Sequence, residues 1–334
     1  MKKKAIALLL AVMLVLSLAA CGTAKTAEST APSNDASPAA DKVYYVGICQ
    51  LVQHPALDAA TQGFKDALTE KLGDKIKFDE QNASGDVPTC ATIANQLVSA
   101  NVDLIMANAT PALQAAQTAT STIPVLGTSV TDYGTALGID NWMGTTGTNV
   151  SGTSDLAPLD QQAAMLKELF PDAKNIGILY CSAEPNSKYQ SGVVTKLLTD
   201  MGYSCKDYTF SDSNDLQTVA TTAASESDVI YLPTDNTVAS NTEIIKNVCV
   251  PAGIPIVAGE EGICKGCGVA TLSISYYDLG YATGEMAYEI LVNGKDPATM
   301  EIQYAPKFTK EYNEDIAKTL NVAIPSDYTA IKAE

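Results

Sequence analysis

Short apolar runs alternate with segments of helical period along the chain from residue 43 onward. The run VYYVGICQ at 43–50 has the composition of a buried strand, and apolar positions in the segment after it recur at helical spacing. In this first half the pattern predicts strands at 43–50, 75–80, 102–107 and 123–127, and helices at 55–72, 88–100 and 111–120. Such alternation is typical of a parallel α/β sheet that helices cover on both faces.

The same alternation restarts after residue 156. It predicts strands at 176–181, 204–210, 228–232, 254–258 and 268–274, and helices at 158–170, 187–201, 214–226 and 238–252. A further helix at 277–293 and a tail at 300–334 follow. The roughly 290 residues of this region are many for a single core and suit two domains of ordinary size. The chain therefore contains two similar α/β halves.

Polar side chains follow the carboxyl ends of six predicted strands. Ligands of open α/β sheets bind at that edge, so these loops predict a polar cleft between the two halves. Taken alone, each loop is better explained by a helix cap or a turn, and the six loops together favour the cleft. The candidate binding residues in these loops and the neighbouring segments are Gln53, Asn108, Ser129, Thr131, Asn149, Asp155, Glu184, Asn186, Ser187, Asp235, Asn236, Glu260 and Tyr276.

The charge is one-sided, with 21 Lys+Arg against 38 Asp+Glu and a formal net charge of −17. This balance argues against nucleic acid as a partner, because phosphate contacts need basic clusters. The chain has no arginine, so an anionic ligand has to be held by helix N-termini, backbone N–H groups, hydroxyls or lysine. A single histidine, His54, leaves few places for a catalytic triad. The sequence predicts neither a cofactor nor a metal site.

Eight cysteines raise the question of disulfides. Without Cys21 seven remain, and an odd number argues against a complete disulfide framework. Cys264 and Cys267 form the one close pair, in a segment that we interpret as a glycine-rich loop. We favour a local disulfide or free thiols there over a redox motif, which is expected at a helix start, or a zinc site, which lacks a second close pair. The other cysteines lie in apolar contexts typical of small core residues.

The first residues resemble a secretory signal. Lys2, Lys3 and Lys4 precede an apolar run at 5–20, which is short for a membrane span. Leu-Ala-Ala before Cys21 resembles the lipobox of bacterial lipoproteins, in which that cysteine is acylated; the alternative is an ordinary signal peptide with a chance cysteine. The predicted organisation is a signal peptide at 1–20 and a lipidated Cys21 with a disordered tether at 21–41.

Seven separated segments carry a family resemblance that runs across residues 43–325. They are QLVQHPALDAATQGFKDAL, GTSVTDY, NVSGTSD, YCSAEPNS, LPTDNTV, AGEEG and ISYYDLGYATGEMAYEILVNGKDPATM. In this order they resemble the substrate-binding lipoproteins of ABC transporters, in the family that includes the tryptophan/tyrosine-binding proteins. One departure is ICKGCG at 263–268, where family members commonly carry an aliphatic residue followed by Lys-Ala-Gly. The ligand could therefore differ from the family type.

The resemblance implies an α/β class protein with a two-lobed type I periplasmic-binding-protein fold. Each lobe is then a parallel sheet flanked by helices, and three hinge crossings join the lobes. The expected division is 43–155 plus 277–302 for the first lobe and 156–276 plus 303–334 for the second. The hinge crossings are expected at NVSGTSD, at ISYYDLG and near Tyr304, and ligand closure is a hinge motion about them.

A zwitterionic amino acid fits the available groups, and an aromatic one (Trp, Tyr or Phe) is the first choice. Its ammonium is expected to pair with Asp235, or else with Glu184 or Asp155. Its carboxylate is expected to meet hydroxyls and backbone N–H groups at Ser129, Thr131 and Ser187. The asparagines supply adjustable hydrogen bonds, and the tyrosines near the cleft loops are Tyr133, Tyr276 and Tyr277. The alternatives are a branched-chain amino acid, a nucleobase or another small heterocycle.

The family resemblance implies a solute receptor without catalysis, which delivers its ligand to ABC permease subunits. We expect a monomer outside the cytoplasm, in contact with the membrane through its lipid anchor. A ligand sensor or adhesin with the same fold is an alternative that the sequence does not separate from transport. An extracytoplasmic enzyme is the weakest hypothesis, because the chain lacks a Gly-x-Ser-x-Gly elbow and the adjacent acids Glu260 and Glu261 would point apart in a strand.

Overall fold

A computed structural model describes residues 42–332. The strands are β1 (Tyr44–Gln50), β2 (Ile76–Asn82), β3 (Leu104–Asn108), β4 (Val125–Val130), β5 (Val150–Ser154), β6 (Asn175–Cys181), β7 (Ser204–Phe210), β8 (Val229–Leu232), β9 (Ile256–Ala258), β10 (Ala270–Ser273), β11 (Gln303–Tyr304), β12 (Thr309–Tyr312) and β13 (Thr329–Ala330). The helices are α1 (Pro55–Leu72), α2 (Val87–Ser99), α3 (Thr110–Ala119), α4 (Tyr133–Leu137), α5 (Leu159–Leu169), α6 (Pro185–Asp200), α7 (Ser213–Glu226), α8 (Asn236–Ala239), α9 (Thr242–Cys249), α10 (Glu261–Cys267), α11 (Tyr276–Leu291) and α12 (Glu314–Thr319). Short 3-10 turns cover Gly73–Lys75 and Pro297–Thr299.

The strands form two sheets. The first has the order β11-β5-β4-β3-β1-β2 and is parallel throughout. The second has the order β13-β12-β10-β9-β8-β6-β7, in which β12 runs antiparallel to β10. Every residue of β3, β4 and β8 is buried, because helices cover both faces of each sheet. The two-lobed α/β architecture predicted from the alternating pattern is thereby confirmed.

The chain passes between the sheets three times, after β5, between β10 and β11, and after β11. Three crossings are what the type I fold implies. Strand β11 pairs with β5 and so belongs to the first sheet. From sequence, the second lobe was expected to begin at residue 303, the first residue of this strand. The observed crossing therefore comes two residues later than expected, beyond Tyr304.

Helix α11 packs closely against α1 although it directly follows a strand of the second sheet. Glycines permit this approach: a Cβ added at Gly280 would lie 1.9 Å from the carbonyl oxygen of Ala60, and one at Gly63 would lie 2.1 Å from the carbonyl oxygen of Tyr277. The contact returns the chain to the first lobe and fixes Tyr276, the first residue of α11, beside the crossings.

Two segments of the second half differ from the prediction. The helix expected at 238–252 is divided into α8 and α9, because the Ser240 hydroxyl and the Asn241 amide hydrogen-bond to carbonyl oxygens of α8 and compete with its continuation. The segment interpreted as a glycine-rich loop around Cys264 and Cys267 is helix α10, whose first turn is capped by the Glu260 carboxylate.

The cysteines of the described region are free thiols. Six are buried, as expected for small core residues, and Cys205 is half-buried. The local disulfide that we considered between Cys264 and Cys267 is not formed. Burial raises the pKa of both thiols, so each stays protonated and unreactive. Cys21 and the predicted signal peptide and tether lie outside the described residues.

Candidate functional site

A cavity lies where the carboxyl ends of the two sheets face each other. The first lobe and its crossing contribute His54, Leu57, Ser129, Asp155 and Tyr276. The second lobe contributes Asn186, Thr234, Asp235, Asn236, Ala239 and Glu260.

Ser129 reaches the cavity because β4 is irregular there. The register of β4 against β5 shifts between Gly127 and Val130, and Ser129 has a φ of 53°, a left-handed conformation that is costly for a residue with a Cβ. The Ser129 hydroxyl is buried without a hydrogen-bond partner. The bulge thus presents an unsatisfied hydroxyl to the cavity, and such strain is common at binding sites.

Two buried carboxylates, Asp155 and Glu260, line the same cavity. Asp155 accepts hydrogen bonds from the Thr131 hydroxyl at 3.1 Å and the Tyr276 hydroxyl at 2.9 Å. Glu260 accepts backbone hydrogen bonds from the first turn of α10. Burial raises the pKa of Asp155, and it raises the pKa of Glu260 to about 7. The lysine–carboxylate ion pairs of the described residues lie at the surface and include neither carboxylate.

Asp235 and Glu184 are also buried, but their oxygens serve the protein itself. Asp235 accepts from the backbone N–H groups of Cys181 (2.7 Å) and Val238 (2.8 Å) and from the Ser187 hydroxyl (2.7 Å). Burial, together with the neighbouring Glu184 charge, raises the pKa of Asp235, and these hydrogen bonds oppose the shift. Glu184 accepts from the backbone N–H groups of Asn236 and Thr237 and from both of their side chains. Both acids therefore cap and position helix α8.

Two hydrogen bonds connect the lobes across the cavity. His54 Nε2 lies 3.2 Å from Asn236 Oδ1, and Gln190 donates to the Thr131 hydroxyl at 3.2 Å. Gln190 is itself held by Thr234, whose N–H and hydroxyl both donate to Gln190 Oε1. The described structure is therefore a closed arrangement of the two lobes.

The structure brings many of the sequence-predicted residues to this cavity. Those that line it are Ser129, Asp155, Asn186, Asp235, Asn236, Glu260 and Tyr276. Thr131 and Ser187 are buried in its wall, where their hydroxyls donate to Asp155 and Asp235. Glu184 borders a second cavity of about 190 Å³, which shares Asn236 with the first.

Three predicted residues lie elsewhere. Gln53 is exposed and lines neither cavity. Asn108 is buried behind the first cavity, where it donates to the Leu57 carbonyl and the Thr61 hydroxyl. Asn149 precedes β5 and so lies at the amino edge of the sheet, where it donates to the carbonyls of Thr120 and Ile123. These placements do not support direct contact with a ligand in the cavity.

Five residues at the site were not predicted. They are His54, Leu57, Gln190, Thr234 and Ala239. His54 and Thr234 lie in loops that follow strands, and this position could have identified them as candidate binding residues. Leu57 and Ala239 are apolar, and Gln190 lies one turn inside α6, so sequence alone does not separate these three from core or helix-surface residues.

The buried Glu260 predicts a pH dependence of stability. Its pKa is about 7 in the folded state against 4.5 ordinarily, so the folded state holds the extra proton between these values. The Glu260 contribution to the free energy of unfolding is therefore expected to fall as pH rises through this window, by roughly 3 kcal/mol in total. Urea unfolding of ligand-free wild type and Glu260→Gln at several pH values measures it. The variant keeps an oxygen to cap α10, and its stability should decline less with pH; parallel pH profiles would contradict the expectation.

Comparison with known proteins identifies the family. The model of the protein family described as "ABC transporter substrate binding protein" matches residues 45–333. A tyrosine-binding protein of Clostridioides difficile is 37% identical over 323 residues, covering 96% of this chain and 93% of its own.

Solved structures agree. An ABC domain from Streptococcus pneumoniae in complex with L-Trp is 33% identical with a TM-score of 0.81, covering 85% of this chain and 96% of its own. The branched-chain amino acid binding protein LivJ of the same species, in complex with isoleucine, has 15% identity, a TM-score of 0.55 and coverage of 84% and 88%, and shares the type I periplasmic-binding-protein fold alone. In residues 42–332 no helix has both the length and the apolar character needed to cross a membrane. With its closed interlobe cavity and its match across both lobes, the chain belongs to the family of ABC transporter substrate-binding proteins.

Proposed function

We propose that this solute receptor binds a single aromatic amino acid in the interlobe cavity and delivers it to the permease of an ABC transporter. The observation that carries the proposal is the pair of buried carboxylates, Asp155 and Glu260, at a cavity whose walls contribute no lysine or arginine side chain. Uncompensated buried carboxylates are costly, and a cationic group of the ligand would remove that cost. The tyrosine-binding and L-Trp-complexed relatives support an aromatic amino acid as the ligand.

The ammonium group is assigned to Asp155 and Glu260, in place of the Asp235 that we expected from sequence. Asp235 is occupied by three donors, whereas each oxygen of Asp155 accepts one hydroxyl hydrogen bond and retains a free lone pair. The Tyr276 hydroxyl holds the same carboxylate in position.

The ligand carboxylate is assigned to the Ser129 hydroxyl. Of the three hydroxyls expected for this role, those of Thr131 and Ser187 already donate to buried acids, and the one of Ser129 has no partner. Without arginine in the chain, a hydroxyl together with backbone N–H groups is the available means of holding an anion. The aromatic ring is left with the apolar surface of Leu57 and Ala239.

The proposed location follows from the family and from the N-terminus. Substrate-binding proteins of this family work outside the cytoplasm, and the predicted signal peptide at 1–20 with acylated Cys21 would anchor this chain to the membrane by lipid. Incorporation of labelled palmitate into wild type but not into Cys21→Ser tests the anchor.

A thermal-shift panel tests the ligand class on residues 42–334, nearly all of the compact unit Asp41–Glu334. Tryptophan and tyrosine are expected to stabilise the protein by about 2.7 kcal/mol at a hundredfold excess over their dissociation constants. For a protein of this size that corresponds to a rise in melting temperature of several degrees. Branched-chain amino acids and nucleobases are the competing classes, and indole-3-propionate, which lacks the ammonium, is the matched control. A shift confined to nucleobases, or no shift with any amino acid, would refute the proposed ligand class.

A further inference from the structure

His54 lines the cavity and has an unused hydrogen-bonding atom. It follows β1, precedes the first residue of α1 and is 7% exposed. Its Nε2 lies 3.2 Å from Asn236 Oδ1, whereas Nδ1 is buried without a partner. A buried polar atom without a partner in a ligand cavity suggests that the ligand supplies the partner.

The neighbours of His54 determine which ring nitrogen carries the proton. A carboxylate can only accept, so Asn236 turns its amide nitrogen toward Glu184 Oε2, 2.7 Å away, and presents Oδ1 to His54. Nε2 must therefore be the protonated nitrogen. Burial lowers the pKa of His54, so the ring is neutral near pH 7 and Nδ1 carries a lone pair.

His54 and the proposed ammonium site have different hydrogen-bond partners. His54 is paired with Asn236, which in turn donates to Glu184. Asp155, in contrast, accepts hydrogen bonds from Thr131 and Tyr276. With the ammonium assigned to Asp155 and Glu260 and the carboxylate to Ser129, the side chain is the part of the ligand left to contact His54.

We propose that His54 is a specificity-determining residue whose Nδ1 accepts a hydrogen bond from an N–H or O–H group on the ligand side chain. The inference rests on the proposed function and goes beyond it, because it ranks ligands within the aromatic class. Tryptophan and tyrosine carry such a donor and phenylalanine does not. A site that holds a buried acceptor disfavours the ligand that leaves the acceptor unpaired.

Calorimetric titration with two matched ligand pairs tests the inference. The pairs are tyrosine with phenylalanine, and tryptophan with 3-benzothienylalanine, in which sulfur replaces the indole N–H. In wild type the donor ligand of each pair is expected to bind about tenfold more tightly or better. In His54→Gln the amide still reaches Asn236 but the acceptor at the Nδ1 position is lost, and both ratios are expected to fall toward one.

The controls separate specificity from structure. Gln62→Ala, on the solvent-exposed side of α1, the helix that begins directly after His54, should keep both affinity ratios. Asn236→Ala retains His54 but removes the acceptor that sets its tautomer, so it should lower both ratios and serves if His54→Gln does not fold. Equal binding of both members of each pair by wild type, or unchanged ratios in both cavity variants, overturns this inference alone. Failure of every aromatic amino acid to bind overturns the proposed function and the inference with it.

Discussion

Exchange of Asp155 for asparagine is expected to weaken binding of an aromatic amino acid by about a hundredfold or more. Removing one partner of a buried ion pair costs about 3 kcal/mol or more, and each 1.4 kcal/mol is a factor of ten in affinity. Asparagine is nearly the same size and can still accept from Thr131 or Tyr276, so the packing is retained while the charge is lost. Titration calorimetry with tryptophan and tyrosine measures the effect.

A ligand without the ammonium shows whether Asp155 acts on that group. Indole-3-propionate should bind wild type weakly and lose little further affinity in Asp155→Asn, because the interaction under test is already absent. Asp160→Asn, at an exposed position in the first turn of α5, is the matched surface exchange and should leave affinity unchanged. If the Asp155→Asn variant binds tryptophan with an affinity within threefold of wild type, Asp155 is not the partner of the ammonium, and another acid has to be.

Replacement of Gly280 by alanine is expected to destabilise the fold by about 3 kcal/mol, the upper end for overpacking. The new Cβ would lie 1.9 Å from the carbonyl oxygen of Ala60 and 2.7 Å from its Cα, so backbone has to move against backbone. A flexible side chain could have turned aside, but two helices in contact must separate. Urea unfolding measures the change as a lower midpoint with a similar slope.

The matched control is Gly192→Ala, because Gly192 is also a helical glycine. It lies on the exposed face of α6, and a Cβ there would meet nothing within 4 Å. Alanine at that position is expected to stabilise the protein by up to about 1 kcal/mol through its higher helix propensity. Equal stabilities of the two variants would show that α1 and α11 can separate without cost.

The periodicity of the sequence predicted the architecture well, because covered parallel strands are short, apolar and separated by amphipathic helices. Strand β7 has the predicted bounds, 204–210, and the crossings occur near the predicted segments. The division of α8 from α9 was not predicted, since it depends on side-chain hydrogen bonds of Ser240 and Asn241 that leave the apolar pattern unchanged.

Most of the predicted binding residues line or border the cavity, but the sequence does not distinguish the surroundings of its buried acids. Asp235 and Asp155 both follow strands and look alike in sequence, yet Asp235 accepts from donors of β6, α6 and α8, whereas Asp155 accepts from the hydroxyls of Thr131 and Tyr276. That distinction depends on residues distant along the chain. Asn149 was expected at the cavity but lies at the opposite edge of the sheet, because it precedes β5. Periodicity gives the ends of a strand only to within a few residues, so it does not fix at which edge of the sheet such a residue lies.

The hydrogen bonds that join His54 to Asn236 and Gln190 to Thr131 form between protein groups, without any contribution from a ligand. They therefore favour the closed arrangement in the empty protein as well. The apparent affinity of a receptor is its intrinsic affinity scaled by the fraction of molecules in the binding-competent state. A residue such as Gln190, which does not line the cavity, can thus set how much solute is retained at low external concentration, and the same hydrogen bonds must break each time the cargo is released.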